Sequence, residues 1–205
     1  MKRIFITGIS TDVGKTLASA IIVESLKADY WKPVQAGDLD ATDSDKVQSL
    51  ISNDKSFIHK SSYELTTAMS PHAAAEIDGI RIEHSAIIEP QTENPLVIEG
   101  AGGLLVPLNE EETILDIIMP NYKIVVVSRH YLGSINHSLM TINWLLERGY
   151  EVSVLFSGNE QPTTESIITN KTGVTVLGRI EEEPTIDKAI IKKYAEQFRP
   201  ALEVL

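Results

Sequence analysis

The chain has no cysteine among its 205 residues. That excludes a disulfide framework, a thiolate metal site and a cysteine nucleophile. Aromatic residues are scarce, at 6%, so a core has to be built from aliphatic side chains. Basic residues are also scarce, 18 against 29 acidic, for a net charge of −11. A surface of that sign repels phosphate backbones and anionic lipid, which argues against a nucleic-acid or membrane partner. No apolar run approaches the ~20 residues needed to cross a bilayer. The chain enters an apolar strand pattern at once, with no signal-like segment before it, so a cytoplasmic location is expected. A phosphate ligand would need a local cationic pocket, against the global field.

Such a pocket is legible near the start. The apolar run Ile4-Phe5-Ile6 leads into Gly8-Ile9-Ser10-Thr11-Asp12-Val13-Gly14-Lys15-Thr16, and a helical pattern begins at Leu17. Strand, glycine-bearing turn, Gly-Lys-Thr and helix describe a phosphate cradle, with five residues rather than four between Gly8 and Gly14. Turn and first-turn N–H groups point at an anion, and the helix dipole adds about half a positive charge. Lys15 supplies a point charge for terminal phosphates, and the Thr16 hydroxyl is placed to ligate Mg²⁺.

Further along, short apolar strands alternate with amphipathic helices. Strands read at about 3–7, 30–35, 95–99, 123–128, 151–157 and 174–178. Helical patterns read at about 15–28, 43–52, 83–90, 113–118, 134–148, 163–171 and 186–198. The polar stretch 53–80 is the least regular. The pattern predicts one α/β domain over residues 1–205, with βαβ units and a parallel sheet covered on both faces. Ligands in such sheets bind outside the carboxyl ends of the strands.

The strand ends therefore define the candidates. Lys32, in Trp31-Lys32-Pro33-Val34-Gln35-Ala36-Gly37, either points into a site or snorkels at a strand edge. Asp43-Ser44-Asp45 opens a helix, either as an acidic first turn or with one carboxylate reaching Mg²⁺. Glu99 ends the run Leu96-Val97-Ile98; a carboxylate there is costly to bury unless a cation or donors satisfy it. Gly100-Ala101-Gly102-Gly103 lets backbone approach a ligand. Leu132-Gly133-Ser134-Ile135-Asn136-His137 opens a helix whose N-terminus suits an anion, or simply caps it. His59, His84 and His130 show no metal spacing and read as loop or surface residues; His72 follows Ser70-Pro71.

In order and spacing, the Gly8–Thr16 loop, Lys32-Pro33-Val34, Asp45, Ser70-Pro71-His72, Glu99-Gly100-Ala101-Gly102-Gly103 and Leu132-Gly133-x-Ile135-Asn136-His137 together resemble the dethiobiotin synthetases, from residue 1 to about 180. Glu-Gly-Ala-Gly-Gly alone is shared with amidoligases that make cobyrinic acid diamides. The resemblance implies a three-layer P-loop NTPase-like fold, a mainly parallel seven-stranded sheet and a homodimer. It also implies conversion of 7,8-diaminononanoate, CO₂ and ATP, with Mg²⁺, to dethiobiotin. By the same resemblance, Lys15, Lys32 and Thr11 are catalytic, and Thr16, Asp45 and Glu99 surround Mg²⁺. Asp12 to Leu17, with Gly100, Ala101 and Gly102, hold the nucleotide. Thr11, Lys32, Ala36, Ser70, Gly102, Gly103 and Asn136 contact the diamine substrate. Ala36 stands where the family often has serine. Where the family commonly places asparagine to read adenine, the run is Ser157-Gly158-Asn159, so Ser157 or Asn159 takes that role. A ParA- or MinD-like ATPase switch is the contrasting expectation; its signature lysine would fall at Ser10.

Overall fold

A computed structural model describes all residues, 1–205. Seven strands form one sheet in the order β4-β2-β6-β1-β7-β8-β9. These are β1 (Arg3–Gly8), β2 (Asp29–Trp31), β4 (Ile58–His59), β6 (Leu96–Glu99), β7 (Lys123–Arg129), β8 (Glu151–Ser157) and β9 (Thr175–Ile180). Every pairing in this sheet is parallel. A second, two-stranded parallel sheet pairs β3 (Val34–Ala36) with β5 (Tyr63–Leu65).

Parallel strands need crossovers, and the helices supply them. Helix α1 (Lys15–Leu26) packs on β6, β1 and β2 and against α6 (Lys188–Glu203), while α2 (Asp43–Leu50) contacts both helices. Helix α4 (Ser134–Glu147) packs on β7 and β8 and against α5 (Pro162–Thr172). A short α3 (Pro71–Ile77) sits by β3 and β5. The sheet is therefore covered on both faces, and its strands read as continuous apolar runs for that reason: Ile124 to Val127 are fully buried. One core cluster of 46 buried residues joins these layers. Helix α1 is buried over most of its circumference, because it lies between the sheet and α6.

The predicted strand over 30–35 is interrupted. Pro33 has no N–H to donate to a ladder, and its carbonyl instead accepts from the Ser62 and Tyr63 amides. The chain leaves the main sheet at Trp31 and re-pairs at Val34 with Tyr63. Helix α3 was not anticipated; Pro71 occupies its first turn, where a missing N–H costs nothing. The segments predicted as helix at 83–90 and 113–118 are only 3₁₀ turns, His84–Ala86 and Ile114–Ile117. Helix α6 runs past the expected end near 198, with Pro200 inside it.

Beneath the site, α1 and the end of α2 are tied by a buried carboxylate. Glu24 is 4% exposed and accepts from the Ser52 and Asn53 amides, the Asn53 side chain and Lys27. Burial opposes its charge, but those donors win and hold its pKa down at about 2, from an ordinary 4.5. A depressed folded-state pKa gives stability that is present above 4.5 and is lost as pH falls from there toward 2. Glu24→Ala is expected to cost about 2 kcal/mol at pH 7, and denaturant titrations should show that difference shrinking below about pH 4.5.

Candidate active site

The carboxyl ends of β1, β2, β6, β7 and β8 share one rim, and the sequence-selected residues converge there. Chain leaving β1 at Gly8 turns tightly: a Cβ on Gly8 would lie 2.6 Å from Val13 Cγ2 and 2.8 Å from the Ser10 carbonyl oxygen. Asp12 is held at φ 56°, a left-handed conformation that short polar side chains tolerate and that marks strained functional loops. Gly14 follows at φ 96° and starts α1; a Cβ there would sit 3.1 Å from Ser157 Oγ. Helix geometry leaves the N–H groups of Lys15, Thr16 and Leu17 without intrahelical acceptors, all at the dipole's positive end.

Lys15, Lys32, Asp43 and Glu99 lie beside this loop among the residues lining a cavity of about 860 Å³. Lys32 is 5% exposed and donates to Asp43 Oδ2 at 2.6 Å and to Glu99 Oε1 at 3.2 Å. Burial alone would lower its pKa, but the Glu99 and Asp43 charges outweigh it, so the pKa is raised and the ammonium keeps its proton. The Asp43 pKa moves the opposite way: burial raises it, and the Lys32 charge and hydrogen bond bring it down. Glu99, 1% exposed, accepts from Thr16 Oγ1 at 2.9 Å, Ser19 Oγ at 2.8 Å and Tyr30 Oη at 3.0 Å besides Lys32. Lys15 donates to the Ser10 carbonyl at 3.1 Å.

Lys15 differs from Lys32. Burial dominates, with Glu99 only partly compensating and Lys32 repelling, and its pKa falls from 10.5 to about 8. A folded pKa below the unfolded one means that the unfolded chain binds more protons between about 8 and 10.5; this group's contribution to stability therefore grows with pH across that window. Binding a polyanionic phosphate chain needs the protonated form. Affinity for a nonhydrolysable ATP analogue is expected to fall above about pH 8, by up to about tenfold per unit. Calorimetry between pH 7 and 9.5 checks this, and a flat profile would contradict it.

Thr11, Asp12, Gly14, Leu17, Ala36, Ser70, Ala101 and Gly102 also line the large cavity. Val13 is buried behind the loop, and Gly100 packs against the Phe5 ring. Gly103 lines a neighbouring, more apolar cavity of about 430 Å³ with Leu105, Met140 and Trp144. Thr11 and Val106 line both cavities.

Asp45 is placed otherwise than expected. Its carboxylate accepts from the Thr42 amide and hydroxyl in a reciprocal capping box at the start of α2. It is turned to solvent, and Asp43, two residues earlier, is the carboxylate in the cavity. Ser157 ends β8, buried against Gly14, whereas Asn159 is exposed beyond Gly158. Asn136 is exposed on the first turn of α4 and lines neither cavity; its Nδ2 lies 3.4 Å from Met140 Sδ. His130, read as a loop or surface residue, lies in the loop after β7, with its side chain only 3% exposed, packed on Phe156 and bonded to Glu165. Ser19, inside α1, and Tyr30, in β2, also reach Glu99; neither follows a strand end in the sequence.

Sheet, loop and lysines define a P-loop α/β nucleotide-binding protein. A family model described as an AAA domain matches residues 2–189. Among solved structures, a plasmid partition protein of Borrelia burgdorferi superposes with a TM-score of 0.62 at 17% identity, covering 100% of this chain and 99% of that one. The MinC:MinD cell division complex of Aquifex aeolicus gives 0.53 at 14% identity, with 100% and 95% covered. At such identities the likeness is one of fold. Sequence relatives are nearer. The ATP-dependent dethiobiotin synthetase of Christiangramia forsetii is 56% identical over 98% of both chains. That of Cytophaga hutchinsonii is 47% identical over 95% of this chain and 96% of its own. This chain belongs to the dethiobiotin synthetases, ATP-dependent ligases of biotin biosynthesis.

Proposed function

We propose that the chain condenses 7,8-diaminononanoate with CO₂ at the expense of ATP, giving dethiobiotin, ADP and phosphate. The observation that carries this reading is the buried Lys32 bridging Asp43 and Glu99 beside Lys15 and Thr16, in the cavity under the Gly8–Thr16 loop. Phosphoryl transfer asks for positioning and charge neutralisation more than covalent help, and that is what this set provides.

Loop amides from Asp12 to Leu17 and the Lys15 ammonium hold the phosphates. One substrate amine adds CO₂ and loses a proton to become a carbamate. A carbamate oxygen attacks the γ-phosphorus, the bond to ADP breaks, and Lys32 neutralises charge on the transferring group. The second amine then attacks the carbamoyl carbon, phosphate leaves, and a cyclic urea closes. Thr11, with the amides of Gly102 and Gly103, stands between the two cavities where the diamine head would lie, and Ala36 and Ser70 bound the same space. The Thr16 hydroxyl and the Asp43 and Glu99 carboxylates are hard oxygen donors that fit Mg²⁺, which takes one or two carboxylates and completes its shell with phosphates and water. Bound there, Mg²⁺ would draw charge from the phosphate oxygens. Asp43, which lines the cavity, suits this role better than Asp45, which caps α2. Ser157, against Gly14, is the better placed of the two residues considered for the base.

The apolar neighbouring cavity suits the substrate's alkyl chain. Leu105 and Met140 are exposed beside it, at 62% and 65%, which supports a homodimer closing over that face, with Asn136 offered to the substrate carboxylate across it. The continuous core supports a single domain. No helix is long and apolar enough to cross a membrane; the biosynthetic relatives support a cytoplasmic location. Incubation with diaminononanoate, bicarbonate and MgATP, followed by mass detection of dethiobiotin, tests the proposal. ATP turnover that answers to DNA, lipid or a protein partner and ignores the diamine would overturn it.

A further inference from the structure

The two oxygens of Glu99 are treated differently. Oε1 accepts from Thr16 and Lys32, both of which line the nucleotide-sized cavity. Oε2 accepts from Ser19 and Tyr30, both 0% exposed and neither in the cavity wall. A bound ligand can compete for the donors at Oε1 but has no access to those at Oε2.

The geometry follows from two periodicities. Tyr30 is paired with Val97 across the parallel ladder, and Glu99 lies two residues further along the same strand. Two residues of strand rise about 6.6 Å and return to the same face, a span that a tyrosine ring lying along the sheet covers. Thr16 and Ser19 are three apart on α1 and so share the helix face above Glu99. The carboxylate is therefore gripped from the sheet by Tyr30 and from the helix by Ser19. With one oxygen fixed twice, the carboxylate plane and the direction of the other oxygen are set.

We propose that Tyr30 and Ser19 are positioning residues that clamp Glu99 by Oε2, so that Oε1 is presented to the divalent cation of the metal–nucleotide complex. This rests on the reading of Glu99 as a cation ligand. Partners behind a ligating group fix its orientation, and their loss weakens metal binding by roughly 10–100-fold.

The test uses the full chain with Mn²⁺ and a nonhydrolysable ATP analogue, reading free Mn²⁺ by electron paramagnetic resonance. Tyr30→Phe keeps the ring and removes the hydroxyl; Ser19→Ala does the same on the helix side. Each is expected to weaken Mn²⁺ binding to the enzyme–nucleotide complex by about tenfold, and to raise the Mg²⁺ concentration for half-maximal turnover equally, with the KM for the diamine unchanged. Glu99→Gln is the control and should lose affinity at least as far. Parent-like Mn²⁺ affinity in Tyr30→Phe and Ser19→Ala, accompanied only by a lower Tm, would overturn the clamp while leaving Glu99 a ligand. Parent-like affinity in Glu99→Gln would overturn both.

Discussion

Lys32→Gln should lower kcat by about 10²–10³-fold, with a nonhydrolysable nucleotide still binding within a few fold of the parent. The two effects separate because the cations divide the work. Lys15 belongs to the loop and is bonded to the Ser10 carbonyl, so the phosphate cradle survives the change. Lys32 is held from the far side by Asp43 and Glu99, and its charge is persistent because those carboxylates raise its pKa. Glutamine is one atom shorter; it can still donate but carries no charge. What is lost is neutralisation at the transferring group, a term felt most in the transition state. Steady-state kinetics beside calorimetric nucleotide binding would show the split. A kcat within twofold of the parent, in a variant whose circular dichroism is unchanged, would remove Lys32 from the chemistry.

The second large effect distinguishes two aspartates that sit two residues apart. Asp43→Ala is expected to depress turnover by about 10²-fold or more and to raise the Mg²⁺ requirement. Its carboxylate is in the cavity and paired with Lys32 at 2.6 Å, so removal takes away a donor and leaves Lys32 held only by Glu99. Asp45→Ala is expected to leave kcat near the parent and to lower Tm slightly, since it loses only its half of the capping box with Thr42. Activity assays over a Mg²⁺ series, with thermal melts of both variants, decide the matter. If Asp45→Ala were the inactive one, the assignment made from geometry would be reversed.

That pair also shows how far the sequence could be read. Thr42-Asp43-Ser44-Asp45 carries the capping-box signature, a threonine with an acid three residues on. Applied strictly, it assigns Asp45 to the helix cap and leaves Asp43 free. The resemblance points to Asp45, which the structure holds in the capping box, while Asp43 lines the cavity. The parallel sheet was legible because strands buried on both faces must be unbroken apolar runs, as in Ile124 to Val127. The loop was legible because Gly14, Lys15 and Thr16 are consecutive and follow Gly8 at the end of an apolar run. Lys32-Pro33 was harder. Apolar content continues through the break, and only the partner strand at Tyr63 shows that the chain has changed sheets. Tyr30 and Ser19 were not legible at all as partners of Glu99, because their contacts span 69 and 80 residues of chain. No local pattern encodes a hydroxyl meeting a carboxylate at that separation.

The position shared by the two cavities has a consequence of its own. Thr11 and Val106 line both the larger cavity and its more apolar neighbour. Residue 11 is therefore common to both walls, and its bulk shapes both spaces at once.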